Sequence, residues 1–143
     1  ITTIVSDLDT AKRFTCLDKK EQFIAQRFMP GPLTLATKNK KGVEFNFRIS
    51  NHPVACKLAR AFNKPIVATS ANSSGEPAAY DETDLQKFFG KVDLILSYGD
   101  LPKQKHSTIV SVSPRFKKIR EGAIDISEIK QELKKFRQLG LKL

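Results

Sequence analysis

The stretch "VEFNFRISNHPVACKLARAFNKPIVATSAN", residues 43–72, changes its period twice. Val43, Phe45, Phe47 and Ile49 alternate with Glu44, Asn46, Arg48 and Ser50, the two-residue period of a half-buried strand with Arg48 on its polar face. Val54, Leu58, Ala59 and Phe62 then recur at helical spacing, with Asn51 as a candidate cap and Pro53 in the first turn. "KPIVATS" returns to β-branched residues and reads as another strand. Strand, helix and strand in close succession indicate an α/β domain. The second strand runs into "SANSSGEPAAY", residues 70–80, where small and hydroxyl-bearing residues leave backbone N–H groups open to an oxyanion. The same composition also makes ordinary turns. Neither a Walker lysine nor G-x-G-x-x-G accompanies it, so the common nucleotide loops do not explain it.

Outward from this segment, "ITTIVSD" reads as a strand, "LDTAKRF" and "DKKEQFIAQRF" as helices, the second capped by Asp18 with Phe23, Ile24 and Phe28 on one face. A turn at Pro30-Gly31-Pro32 launches a strand from Leu33, and "NKKG" connects it to the strand at 43–50. Beyond the loop, "DETDLQKFFG" reads as a short helix closed by Gly90, and "VDLILS" (92–97), "STIVSVS" (107–113) and "FKKIR" (116–120) as strands. Residues 127–143 form an amphipathic C-terminal helix whose stripe begins at Ile126 and continues through Ile129, Leu133 and Phe136. Helices and strands mix without strict alternation. The fold expected is α/β, a twisted mixed parallel and antiparallel sheet with flanking helices, in a single domain over 1–143.

Composition narrows the function classes. The formal charge of +10 favours polyanionic partners such as nucleic acid or phosphorylated ligands. Cys16 and Cys56 have no metal-ligand spacing, and Cys56 falls in the apolar helical pattern as a small core residue. A disulfide framework is not expected, which points to a reducing, cytoplasmic setting without membrane association. His106 beside Ser107 has no acidic orienter in the sequence, so a Ser-His-Asp triad is rejected.

"PGPLT" (30–34), "FRISNHPVA" (47–55), "KPIVATSANSSGEPAA" (64–79), "HSTIV" (106–110) and "IREGAI" (119–124) stand in an order and spacing that resembles the YrdC/TsaC-type threonylcarbamoyl-AMP synthases. The resemblance implies a sheet around a concave, basic cavity and the condensation of L-threonine, bicarbonate and ATP into threonylcarbamoyl-AMP and pyrophosphate. That product serves tRNA t6A37 modification. By this resemblance Ser70, Asn72, Ala68 and Arg120 meet ATP, while Arg48 and Ser107 meet L-threonine. Thr34 and Thr108 shape the cavity, and Mg²⁺ accompanies the triphosphate. Transfer RNA or double-stranded RNA and other proteins of the same modification pathway are the implied partners.

Two departures qualify the resemblance. The family's Lys-x-Arg element and a nearby Thr, upstream of the part matching "ITTIVSD", have no counterpart here. The domain is therefore expected to be N-terminally incomplete, and inactive unless that part is supplied in trans. Glu44 also stands where family members often have a Thr contacting ATP, and Tyr80 replaces a smaller residue after "GEPAA". Two other readings compete: a non-catalytic YrdC-like module gripping tRNA or double-stranded RNA, and the YrdC-like domain of a carbamoyltransferase that adenylates carbamoyl phosphate.

Overall fold

The computed structural model describes residues 1–140. In chain order the elements are β1 (Thr2–Val5), α1 (Leu8–Phe14), α2 (Lys19–Phe28), β2 (Leu33–Lys38), β3 (Glu44–Ile49), α3 (Pro53–Phe62) and β4 (Ile66–Ala68). After these come α4 (Glu82–Leu85), a 3₁₀ turn (Gln86–Phe88), β5 (Thr108–Ser111), β6 (Lys117–Arg120) and α5 (Ile126–Gln138). Positions 141–143 of the helix expected over 127–143 lie outside the described residues. The chain divides into two compact units, one of Ile1–Ala68 with the chain from Lys105, the other Thr69–Gln104.

The first unit carries a six-stranded sheet in the order β4-β1-β3-β2-β5-β6. β1 runs parallel to β3 and β2 to β5, while β4, β6 and the β2–β3 pair are antiparallel. The mixed α/β sheet expected from the sequence is therefore present. β2 and β3 form a hairpin because Asn39 organises its turn. Asn39 Oδ1 accepts from the amides of Lys41 at 2.9 Å and Val43 at 3.0 Å, and Gly42 takes φ +80°, a conformation that favours glycine.

Alternation then sorts the side chains. Phe47 lies in register with Leu35 and Thr3, and with Val5, Ile49 and Val110 it faces one side of the sheet. Ile24 and Ala25 of α2 close over that side, as do Ile126, Ile129 and Leu133 of α5. Fully burying Phe47 contributes roughly 2–3 kcal/mol. Asp18 caps α2 and Asp125 caps α5, each in a reciprocal capping box with Glu21 and Glu128.

Glu21 is itself buried. Desolvation holds its carboxyl above the ordinary range, the Asp18 amide opposes this, and the charge of Asp18 adds to it. The folded state thus binds this proton more tightly than the unfolded chain, so the contribution of Glu21 to stability falls as pH rises above the usual Glu value. Glu21→Gln keeps a cap acceptor and removes the buried charge. Its Tm is expected to exceed the parent's at pH 7, with the gap closing near about pH 4, where the parent is protonated. Thermal melts across pH check this.

Four expectations change. His52, not Asn51, precedes the first turn of α3, and no side-chain cap bond forms there. Only Ala59 of the α3 stripe is buried, and Leu58 and Phe62 are exposed, because a helical period marks a face without supplying its cover. Cys56 is half-buried, and its thiol donates to the Ser50 carbonyl at 2.8 Å. Residues 92–97 form no strand, and among the described residues no neighbouring strand completes a ladder for them. Val92, Leu94 and Leu96 stand exposed instead.

Candidate functional site

The side of the sheet away from the core gathers the polar positions. Thr2 is in register with Asn46, Asn46 with Ala36, and Ile4 with Arg48. On the neighbouring strands Thr34 pairs with Ile109 and Ile109 with Arg120. These residues therefore share one face. From β3, which carries Arg48, to β6, which carries Arg120, are three strand steps, roughly 14 Å.

Arg48 is half-buried on this face. Its Nη2 donates a long bond to Ser50 Oγ at 3.4 Å, and its buried Nε has no partner. Burial presses the guanidinium below its ordinary range, with Cys56 acting in the opposite sense, and it still stays charged. A buried donor without an acceptor costs about 1–3 kcal/mol, so this site favours a ligand that brings one. Two residues earlier, Asn46 Oδ1 is also buried and unpartnered. Its Nδ2 donates to Glu44 Oε1 at 2.6 Å. Glu44 is exposed and tied to Asn46, which is where the structure places this departure from the family pattern.

Thr34, Ser107 and Arg120 form a chain of contacts. Thr34 Oγ1 and Ser107 Oγ lie 2.9 Å apart. Arg120 Nη2 donates to Ser107 O at 2.9 Å and to Ser107 Oγ at 3.2 Å, and Nε donates to the same carbonyl at 3.2 Å. One edge of the guanidinium is thus committed to Ser107. Thr108 points to the core side, with its hydroxyl donating to Ile124 O at 2.6 Å and accepting from the amides of Gly122 and Ile124 at 3.0 Å. It fastens the 122–124 loop. Ala68 ends β4 half-buried, in register with Thr2.

Beside Arg120 a cavity of about 460 Å³ is lined by Lys105, His106, Glu121, Asp125 and Glu128 among others. Both charge signs line it. Asp125 is held below the usual carboxylate range chiefly by the Ser127 amide. Among the described residues no three His, Cys, Asp or Glu side chains converge on a metal position.

In the second unit Ser70 Oγ donates to Asn72 Oδ1, and Asn72 Nδ2 donates to the carbonyls of Ser73 and Glu76, both at 2.9 Å. Asn72 therefore fixes the shape of the loop with its own amide. Gly75 takes φ +84° there, and the surrounding Ser73 and Ser74 are exposed. Lys87 bonds Glu76 at 2.9 Å and, with its charge, lowers that carboxyl. Tyr80 is tied in by its carbonyl, which accepts from the Leu101 amide at 2.7 Å.

Of the residues on this face, Arg48, Thr34 and Arg120 are among the candidates that the sequence suggests, whereas Asn46 reads there only as an alternating polar position. The available signal was its place two residues before Arg48 on the same strand face. The sequence reading also passed over Gly122, discussed below.

The family model described as Sua5/YciO/YrdC, telomere recombination, matches residues 1–122. The chain belongs to the Sua5/YciO/YrdC family. A putative threonylcarbamoyl-AMP synthase of Methanocaldococcus jannaschii is 30% identical over 135 residues, 87% of this chain and 63% of the relative. The threonylcarbamoyl-AMP synthase of Pyrococcus abyssi is 28% identical over 134 residues, 85% of this chain and 39% of the relative. The chain thus spans less than two thirds of the length of these curated relatives. The crystal structure of P. abyssi Sua5 complexed with L-threonine superposes with a TM-score of 0.82 at 24% identity, over 92% of this chain and 42% of that one. That likeness establishes the Sua5/YciO/YrdC fold for the sheet described above.

Proposed function

We propose that this protein takes part in forming threonylcarbamoyl-AMP from L-threonine, bicarbonate and ATP, with release of pyrophosphate, as a transferase for tRNA t6A37 modification. The observation that carries the reading is the buried, unpartnered Nε of Arg48 on the polar sheet face. A forked guanidinium in that state matches a carboxylate, and P. abyssi Sua5 is known in complex with L-threonine. Ser107 with Thr34 would stand next along the face toward the nucleotide end, where the uncommitted edge of Arg120 meets ATP. Ala68 would offer main-chain contact, and in the second unit, taken by itself, Ser70 and Asn72 shape a loop whose amides and hydroxyls would suit phosphate oxygens. Thr108 keeps the 122–124 loop in place behind Arg120.

The chemistry is positioning and charge neutralisation. The threonine amine, once deprotonated, attacks the carbon of bicarbonate, the C–O bond breaks and water leaves to give a carbamate, and a carbamate oxygen then attacks the α-phosphate as the bond to pyrophosphate breaks. Holding the reactants in line contributes up to about 7–11 kcal/mol in favourable cases. Magnesium arriving with ATP would neutralise charge on the leaving group.

The test supplies ATP, labelled bicarbonate and L-threonine to the chain, alone and complemented with the portion of the M. jannaschii relative that it does not match. Label entering a nucleotide-linked product only when all three substrates are present is the expected result. Its absence from both preparations would overturn the reading. The charge of +10 favours one rival, an RNA-gripping module without catalysis. That rival predicts salt-sensitive tRNA binding with no threonine-dependent pyrophosphate. Label drawn from carbamoyl phosphate instead would identify a carbamoyltransferase domain.

A further inference from the structure

Two buried polar atoms without partners lie two residues apart on one face of β3, and they are of opposite kinds. Arg48 Nε is a donor without an acceptor, and Asn46 Oδ1 is an acceptor without a donor. Successive same-face positions on a strand are separated by roughly 6.6 Å, close enough for one small molecule to satisfy both. We infer that Asn46 is a substrate-contacting residue, its Oδ1 accepting a hydrogen from the α-amine of the amino acid whose carboxylate Arg48 holds. The inference rests on the reading of Arg48 given above.

The orientation of the Asn46 amide is dictated by its neighbour. An ionised carboxylate only accepts hydrogen bonds, so Glu44 Oε1 at 2.6 Å must face the Nδ2 end. Oδ1 is thereby turned away from Glu44, and it is buried without a donor. Glu44 becomes a positioning residue for Asn46, which gives a function to a carboxylate that direct contact with phosphates would make unfavourable.

The chemistry also explains why an amide suits this place better than a carboxylate. The amine must shed a proton before it attacks bicarbonate carbon. A carboxylate beside it would favour the ammonium form and hold the nucleophile's lone pair in an N–H bond. A neutral carbonyl oxygen accepts one amine hydrogen and directs the nitrogen while leaving it free to deprotonate. An amino acid bound between Arg48 and Asn46 is thus fixed at its carboxylate and at its amine, which sets its class.

Calorimetric titration of the chain with L-threonine and with its analogue (2S,3R)-2,3-dihydroxybutyrate, in which a hydroxyl replaces the amine, tests this. Asn46→Leu is expected to weaken L-threonine about tenfold and to reduce the preference for threonine over the analogue. Glu44→Ala should reduce the same preference, although Glu44 touches neither ligand. Asn46→Asp is expected to raise the pH at which bound threonine loses its amine proton, read from proton uptake or release in buffers of different ionisation enthalpy. If Asn46→Leu lowers Tm but leaves both affinities as they were, Asn46 only braces Glu44 and the inference is overturned. Threonine binding that is lost in Arg48→Gln but indifferent to Asn46→Leu overturns the role of Asn46 alone. No amino-acid binding sensitive to Arg48 overturns the reading beneath it. Melting curves of each variant separate lost binding from lost folding.

Discussion

Arg48→Gln is expected to weaken L-threonine binding by about 100-fold while leaving the folded chain as stable as the parent, or slightly more so. The magnitude follows from hydrogen bonds to charged groups. A carboxylate held by a guanidinium fork gains on the order of 3 kcal/mol, and 1.4 kcal/mol is a factor of ten in affinity. The stability half of the prediction follows from the free protein. Arg48 has a single long bond to Ser50 Oγ and an unpartnered Nε, so Gln gives up little native hydrogen bonding and removes a half-buried charge. Arg48→Lys is expected to recover only part of the affinity, since an ammonium presents a point charge where a planar fork is needed. Titration calorimetry beside thermal melts reads both halves. An Arg48 that merely braces the sheet would show the opposite pattern, a lower Tm and unchanged threonine affinity.

Gly122→Ala is expected to destabilise the chain by about 3 kcal/mol, lowering Tm by roughly 10 °C, because overpacking against fixed backbone cannot be relieved by a rotamer change. A Cβ at this position would stand 2.1 Å from His106 O, 2.7 Å from Ser107 C and 2.8 Å from Ser107 O. All three atoms are backbone, so the two segments must part. That movement would also break the Ala123 amide bond to His106 O at 2.9 Å and strain the three bonds of the Thr108 hydroxyl. Ser107 and its partner Arg120 sit on the displaced segment. A secondary loss of nucleotide binding should therefore accompany the lower Tm. A variant that melts like the parent would show that residues 106–107 and 122 do not approach as described.

These residues differ in how much the sequence disclosed. The stripe of α5 was legible because its period is regular and its cap clear, and Ile126, Ile129, Leu133 and Phe136 are indeed buried. The stripe of α3 was equally regular, yet Leu58 and Phe62 are exposed, since a period identifies a face and not what lies against it. Residues 92–97 failed for a related reason. An apolar β-branched run is compatible with a strand, but only a neighbouring strand supplies the ladder. Arg48 could be placed on a polar face by alternation alone, and short motifs around it pointed to the family. Its missing hydrogen bond, and that of Asn46, are properties of packing across β1, β2 and β3, and no local pattern contains them.

The central claim is that the Nε–H of Arg48 receives an amino-acid carboxylate. It is tested most directly by following the arginine side-chain Nε–H signals of ¹⁵N-labelled protein during titration with L-threonine, the Arg48 signal being assigned by its disappearance in Arg48→Gln. The account predicts a saturable downfield shift of that signal with L-threonine and none with threonine amide, which lacks the carboxylate. An Arg48 signal that stays in place while L-threonine saturates the protein would contradict it.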